Sequence, residues 1–159
     1  MYDQETPPHP QEYASAIMEE LSGLNCTLIF EPGRVIVGNA GILVGKVLYT
    51  KRTANKNFVI FDAAMNDLVR PSLYGSYHQI LPLRKQERET EIVDVVGPIC
   101  ESGDFLAKDR GLPMAQPGDY FAVMSAGAYG FTMSSNYNSR PRCPEILVTG
   151  SQHHVIRKP

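Results

Sequence analysis

The pattern of apolar and polar positions divides the chain into a helical beginning and a long β-rich remainder. Apolar residues recur at near-helical spacing in PQEYASAIMEEL, which predicts a helix over residues 11–22. Residues 26–30 then form a short apolar run with β-branched and aromatic members, which is typical of a buried parallel strand. The segment 34–41 that follows fits either one short helical turn or a loop.

From about residue 42 onward the pattern indicates strands separated by turn signals. Several short strands of this kind favour a β-barrel or a β-sandwich. Strands are predicted at residues 42–52, 58–63, 79–83, 89–100 and 119–126, with a closing hairpin over 145–158 around Thr149-Gly150.

The two parts differ in whether they can form a core alone. A lone parallel strand has nothing to pair with, and a single helix–strand step needs neighbours to close a core. We therefore predict that residues 1–41 are the last step of a larger, incomplete barrel. Residues 42–159 would form a separate β-domain.

Composition excludes several classes of protein. A hydrophobic fraction of 43% and a charged fraction of 20% are typical of a soluble globular chain. The net charge of -2 gives no basic surface for nucleic acid, and no apolar run is long enough for a membrane span. The three cysteines show no CxxC spacing, which favours a reducing cytoplasm. The four histidines lack the spacing of a metal site.

Two segments carry candidate side chains for ligand binding, one before the β-rich part and one within it. Glu31 and Arg34 place opposite charges at the end of a predicted strand, where they could bind a ligand or simply pair with each other. Arg70 and Tyr74 would share a face if their segment is helical, and an arginine there could hold a carboxylate. The alternative is a surface arginine beside a packed tyrosine.

Two further segments are loops. The loop 97–104 carries Cys100 and two carboxylates, so its thiol could donate a proton or act as a nucleophile. The alternative is a buried cysteine that acts as a small apolar residue. The loop 125–131 surrounds Tyr129 with small residues that would let a ligand approach, although it fits neither GxGxxG nor the P-loop.

In this order and spacing, the four segments resemble the C-terminal half of diaminopimelate decarboxylases. The resemblance runs from about residue 6 to residue 157 and rests on EPGR, FDAAMNDLVRPSLY, VVGPICESGDFLAKDR and SAGAYGFTMSSNYNSRPRCPE. That family belongs to the pyridoxal-phosphate decarboxylases, which are built from a (β/α)8 barrel and a β-domain. The resemblance implies a mainly β chain: a C-terminal β-barrel or sandwich preceded by the last helix–strand step of an incomplete (β/α)8 barrel.

The resemblance also implies roles for residues at a pyridoxal 5'-phosphate site. Glu31 would pair with the pyridine nitrogen of the cofactor, and Gly33 and Arg34 would also contact the cofactor. Arg34 and Arg70 would grip a substrate carboxylate with help from Tyr74. Tyr129 would lie near both the cofactor phosphate and the substrate.

A second set of implied roles crosses between subunits. Cys100 and Glu101 would reach the active site of a partner subunit, so the active unit would be a homodimer with shared sites. Cys100 would donate the proton that replaces carbon dioxide, and Glu101 would bind the distal amino group. In ornithine decarboxylases an aspartate follows the cysteine, so Cys100-Glu101-Ser102 favours meso-diaminopimelate, which would be converted to L-lysine.

The resemblance leaves part of the catalytic unit unaccounted for. In this family the Schiff-base lysine and the phosphate-binding loop precede EPGR, and none of the six lysines here matches that motif. We therefore expect the chain to be inactive without the missing barrel portion. The chain could be a truncated piece, a gene fragment or one part of a split enzyme. The alternatives are a non-catalytic module that binds a partner, and a related decarboxylase of the ornithine or arginine type.

Overall fold

The described part of the chain, residues 6–85 and 87–159 of a computed structural model, consists mainly of β-strands. Three short 3-10 turns accompany the helices and strands, at Gly38–Ala40, Phe131–Met133 and Tyr137–Ser139. The elements are α1 (Pro10–Glu20), β1 (Leu43–Arg52), β2 (Asn57–Phe61), α2 (Arg70–Tyr74), β3 (Ile80–Pro82), β4 (Thr90–Val96), β5 (Phe105–Pro113), β6 (Tyr120–Val123), β7 (Glu145–Thr149) and β8 (Gln152–Arg157).

Six of these strands form one curved sheet in the order β3-β6-β1-β2-β4-β5. Every neighbouring pair is antiparallel except β2 and β4, which are parallel. The two edge strands, β3 and β5, approach each other, so the sheet is nearly closed into a barrel. The prediction of a mainly β chain with a barrel-like domain is therefore confirmed.

Alternating side chains of the sheet fill the barrel and form the core. In β1, Gly45 and Val47 point inward, and the positions beside them point outward. Phe61 and Phe121 meet inside with ring centroids 5.7 Å apart. Burying an apolar side chain of this kind contributes roughly 1.5–3 kcal/mol, which explains why the sheet closes around these residues.

The predicted strand at residues 26–30 is wrong for the chain as it stands. The segment is extended but joins no sheet, and Ile29 is 85% exposed. A parallel strand is stable only when neighbours satisfy its backbone groups, and the described residues offer it none. Helix α1 forms as predicted, capped by His9 and Glu12, yet none of its residues is buried. The boundary between residues 1–41 and 42–159 stays a prediction.

Strand β5 is the element that the sequence pattern did not predict. It pairs with β4, but the pairing is irregular between Val93 and Val95. Asp109 adopts a φ of 49°, and its backbone N–H donates to the Asp94 carboxylate over 2.8 Å. This bulge interrupts the two-residue period on which strand prediction depends. The predicted strand 89–100 also ends earlier, at Val96, where the chain turns away.

The remaining elements agree with the sequence pattern. The segment 34–41 contains a 3-10 turn, which was one of its two predicted forms. The predicted closing hairpin is β7 and β8, with Gly150 at a φ of 59° in the turn. Among the described residues, no helix has the length and apolar character needed to cross a bilayer.

Candidate functional site

An arginine held between two tyrosine rings forms the centre of the candidate site. The guanidinium of Arg70 lies 5.5 Å from the ring centroid of Tyr74 and 5.4 Å from that of Tyr129. Helix α2 provides the first contact because positions 70 and 74 share one helix face, as the spacing predicted. The stacking holds the guanidinium plane in place, so its donors are directed before any ligand arrives.

A strained loop brings Tyr129 to Arg70. After β6, Ser125 and Tyr129 both adopt left-handed backbone angles, with φ of 58° and 62°. Such angles are costly for residues other than glycine and persist only where surrounding contacts impose them. One of those contacts is the hydrogen bond from the Ser125 hydroxyl to the Asn39 side chain, over 2.8 Å.

Glycines pack the loop against the segment that carries Arg34. The N–H of Gly127 donates to the Gly38 carbonyl over 3.0 Å, and the N–H of Ala126 donates to the Gly41 carbonyl over 2.8 Å. A Cβ on Gly127 would lie 2.1 Å from the Val37 carbonyl oxygen, so only glycine permits this approach. The loop and the segment 37–41 are therefore joined backbone to backbone.

The EPGR turn borders the same cluster. A Cβ on Gly33 would lie 3.5 Å from the Tyr129 hydroxyl, which places that phenol beside the turn. Arg34 packs against Gly38, where an added Cβ would lie 3.0 Å from its Cγ, and the Gly38 carbonyl accepts from the N–H of Gly127 in the Tyr129 loop. Gly33, Arg34, Arg70, Tyr74 and Tyr129 thus form one cluster with two guanidinium groups and two phenols, and this cluster is the cationic pocket of the chain.

Glu31 stands apart from these contacts. It is exposed and makes no hydrogen bond or ion pair with the residues that the structure describes. Its proposed pairing with a cofactor nitrogen stays a prediction.

The loop 97–104 is held by a buried carboxylate. Asp104, 4% exposed, accepts hydrogen bonds of 2.7 Å from the backbone N–H groups of Met65 and Ile99. Burial raises the pKa of Asp104, and the two hydrogen bonds oppose that shift. Gly97 leaves the space for this carboxylate, because a Cβ there would lie 2.5 Å from one of its oxygens. Asp104 is therefore a structural residue, and it ties the loop to the chain before α2.

We expect Asp104→Ala to destabilise the chain by roughly 2 kcal/mol, because two buried N–H donors lose their acceptor. Urea unfolding of the variant measures the effect. Glu145→Ala is the control, because it removes a carboxylate from a surface ion pair and should change stability by less than about 0.5 kcal/mol. Equal effects of the two substitutions would contradict the role assigned to Asp104.

Cys100 and Glu101 lie at the exposed tip of this loop. The Tyr137 hydroxyl donates to the Glu101 carboxylate over 3.2 Å and orients it. The loop packs on α2 through Gly103, whose Cβ position is 2.9 Å from the Ser72 hydroxyl. Residue 72 points away from the helix face that carries residues 70 and 74. One chain therefore does not bring Cys100 and Glu101 together with Arg70.

The other cysteines differ from Cys100 in their surroundings. Cys143 is half-buried and donates to Asp67 over 3.2 Å. Burial, followed by the Asp67 charge, raises the pKa of Cys143 to about 12, so this thiol stays protonated at neutral pH. Cys26 is exposed on the extended segment after α1.

Two parts of the site were not predicted from the sequence. His78 is fully buried and its Nδ1 lies 2.8 Å from the Met124 carbonyl oxygen, although a lone histidine in YGSYHQI gives no signal of a role. Arg140 donates to the Asn66 side chain over 3.1 Å and to the Asp62 carbonyl over 2.5 Å. These bonds tie the segment 138–142 to the chain before α2.

Comparison with known protein families identifies the class of protein to which this curved β-domain and its cationic pocket belong. Residues 1–127 match the family model of the pyridoxal-dependent decarboxylase C-terminal sheet domain, and the chain belongs to that family.

The relatives narrow the class further. The chain is 54% identical over 159 residues to the diaminopimelate decarboxylase of Vibrio cholerae, covering 99% of this chain and 38% of the relative. It is 52% identical over 151 residues to that of Aquifex aeolicus, covering 95% of this chain and 36% of the relative. The chain therefore spans little more than a third of the length of these relatives.

Solved structures agree with the fold. A crystal structure of diaminopimelate decarboxylase from Helicobacter pylori, complexed with L-lysine, has a TM-score of 0.88 at 46% identity and covers 99% of this chain and 39% of that chain. An arginine decarboxylase of Paramecium bursaria Chlorella virus has a TM-score of 0.70 at 19% identity, covering 80% of this chain and 36% of that chain, which shows a shared fold alone.

Proposed function

We propose that the chain is the C-terminal part of a pyridoxal-phosphate-dependent diaminopimelate decarboxylase, which converts meso-diaminopimelate to L-lysine and carbon dioxide. The observation that carries the proposal is the guanidinium of Arg70 held between Tyr74 and Tyr129, with Gly33 and Arg34 beside it. The relatives that match almost the whole chain are diaminopimelate decarboxylases, which supports the choice of substrate.

The residues present fit pyridoxal phosphate. The Tyr129 hydroxyl beside Gly33 offers a donor next to backbone that no side chain covers, and the nearby arginines add positive charge for a phosphate. Glu31, exposed near the same turn, is a carboxylate that could pair with a protonated pyridine nitrogen. When bound, the cofactor supplies the electron sink for decarboxylation.

The substrate has an amino and a carboxylate group at each end, so recognition of its distal end needs both signs of charge. Arg34 and Arg70 would bind a carboxylate, because a guanidinium holds two oxygens in one plane. Glu101, oriented by Tyr137, would bind the distal ammonium. A diamine-type substrate without the distal carboxylate would leave an arginine charge unpaired, and a site rejects such an analogue strongly.

The proton for the new C–H bond would come from Cys100 of a second copy of the chain. The loop 97–104 packs through Gly103 on the side of α2 that faces away from Arg70, and among the described residues no hydrogen bond joins Cys100 to the pocket of its own chain. In a homodimer the same loop could enter the pocket of the partner. A thiol in this role must stay reduced, which suits the cytoplasm.

The rest of the cofactor site would come from outside this chain. In the proposed enzyme, the lysine that bonds to the cofactor and the phosphate-binding loop belong to the barrel part. The apolar residues of the segment after α1, such as Ile29 and Phe30, are exposed here and would be covered by that barrel.

The test is a chimera in which the part of the Vibrio cholerae relative that precedes the matched region is joined to this chain. We expect it to release carbon dioxide from meso-diaminopimelate with at least ~10% of the activity of the intact relative, because the site would be complete. Release of carbon dioxide from labelled meso-diaminopimelate and from ornithine is measured side by side.

Two controls accompany the chimera. The chain alone should release no carbon dioxide, and the Arg70→Ala chimera should bind cofactor but turn over poorly. A folded, cofactor-bound chimera that prefers ornithine would contradict the substrate, and one that is inactive on both would favour a non-catalytic module.

A further inference from the structure

His78 is a buried side chain four residues after Tyr74, and none of the proposed steps uses it. It is 1% exposed, and its Nδ1 lies 2.8 Å from the carbonyl oxygen of Met124. Because a carbonyl oxygen only accepts, Nδ1 carries the proton and donates it. Burial lowers the pKa of His78, and the charges of Arg70 and Arg34 lower it further, so the ring is neutral at physiological pH.

The backbone on both sides of this hydrogen bond is fixed independently. The N–H of Met124 donates to the Gln79 carbonyl over 2.8 Å, which continues the β3–β6 pairing beyond Ile80 and Val123. The carbonyl of His78 accepts from the Arg110 guanidinium over 2.7 Å. The side chain of His78 therefore adds one more connection where the regular ladder ends.

The hydrogen bond between His78 and Met124 links the two parts of the chain that carry Tyr74 and Tyr129. His78 follows Tyr74 by four residues, and Met124 precedes Tyr129 by five. The ring thus joins the chain that leaves α2 to the start of the strained loop that carries Tyr129. Ser125, the next residue after Met124, already has a left-handed φ of 58°, so the loop departs from strand geometry directly after this bond.

We propose that His78 is a positioning residue, whose hydrogen bond from Nδ1 to the Met124 carbonyl sets the contact between Arg70 and Tyr129 and hence the carboxylate site. This inference rests on the proposed function for its effect on substrate. Its effect on the contact between Arg70 and Tyr129 does not depend on catalysis.

The other ring nitrogen offers a competing role. Among the described residues, neither Nε2 of His78 nor Nε of Arg70 has a hydrogen-bond partner, although both are buried. A group bridging these two nitrogens would make Nε2 the important atom. Two amide substitutions separate the nitrogens, because asparagine places an N–H close to the position of Nδ1 and glutamine places its amide near Nε2.

The first readout is kinetic, in the active chimera. We expect His78→Ala and His78→Gln to raise KM for meso-diaminopimelate by ~10-fold, with kcat changed by less than ~3-fold, because the carboxylate site loses its geometry while the proton donor is untouched. His78→Asn should stay within ~2-fold of the unsubstituted KM, because it keeps the donor to Met124.

The second readout is the Nε–H signal of Arg70 in the chimera labelled with 15N-arginine, assigned by its loss in Arg70→Lys. The rings of Tyr74 and Tyr129 should shift this signal upfield. The shift should shrink in His78→Ala and His78→Gln and persist in His78→Asn. Val93→Ala, a buried change in β4, is the control that lowers stability without moving KM or this signal.

The outcomes are distinguishable. An unchanged KM and an unchanged Arg70 signal in His78→Ala would overturn the positioning role. The role would also be overturned if His78→Gln kept the unsubstituted KM and signal while His78→Asn lost them. If the unsubstituted chimera is inactive, the proposed function fails, and the Arg70 signal across the same variants still supports or overturns the role of His78.

Discussion

Mixtures of two inactive variants of the chimera, Arg70→Ala and Cys100→Ala, are expected to regain roughly a quarter of the unsubstituted activity. If each site combines Arg70 of one chain with Cys100 of its partner, a mixed dimer contains one intact site and one doubly defective site. Random pairing makes about half of the dimers mixed, and each has one working site of two, which gives roughly a quarter.

Each variant alone should be nearly inactive for a separate reason. Arg70→Ala removes the planar donor that holds a carboxylate, and Cys100→Ala removes the proton donor, a change typically worth ~10²–10⁴ in rate. Cofactor binding should survive in Cys100→Ala, because the thiol is not among the residues assigned to the cofactor. Activity is measured after the two variants are unfolded together and refolded, so that subunits exchange.

The control is a mixture of Arg70→Ala with Arg34→Ala. Both arginines belong to the pocket of one chain, so every site in a mixed dimer lacks one of them and no activity should return. Recovery in this control, or none in the Arg70 and Cys100 mixture, would contradict shared sites. Full activity of Cys100→Ala alone would remove that thiol from the mechanism.

Local patterns were sufficient to predict much of this molecule. Alternation predicted the strands of the barrel because each has one face in the core, and the four-residue spacing of Arg70 and Tyr74 predicted their shared face. Prediction from local patterns failed at two places. At β5 the bulge at Asp109 breaks the two-residue period, and at residues 26–30 a strand-like sequence lacks strand neighbours. In both cases the deciding interaction lies outside the window in which a pattern is read.

The assembly of the site shows the same limit more clearly. The sequence shows which residue types the site contains, but it does not show which of them meet. The hydrogen bond between Ser125 and Asn39, for example, joins residues 86 positions apart. The sequence shows Asp104 only as one of two loop carboxylates, and its burial makes it structural. The resemblance to a family supplied the roles of Cys100 and Glu101, and no local pattern would have placed them on the far side of α2.

The tight contact between the Tyr129 loop and the EPGR segment gives the second large expected effect. We expect Gly127→Ala to destabilise the isolated chain by ~3 kcal/mol, at the upper end of overpacking costs. The added Cβ would lie 2.1 Å from the Val37 carbonyl oxygen and 2.7 Å from the Gly41 nitrogen. These are backbone atoms, so no side chain can rotate to relieve the clash and the two segments must separate.

The same substitution should abolish turnover in the chimera, because separation of the segments moves Tyr129 away from Gly33 and Arg70. Urea unfolding and decarboxylation are measured together with Gly111→Ala as the control. A Cβ on Gly111 would meet Thr90 at 3.5 Å, an ordinary contact, so that variant should keep its activity. If Gly127→Ala were stable and active, the backbone contact between the two segments could not be what assembles the pocket, and Arg70 with its tyrosines would have to be held by α2 and His78 alone.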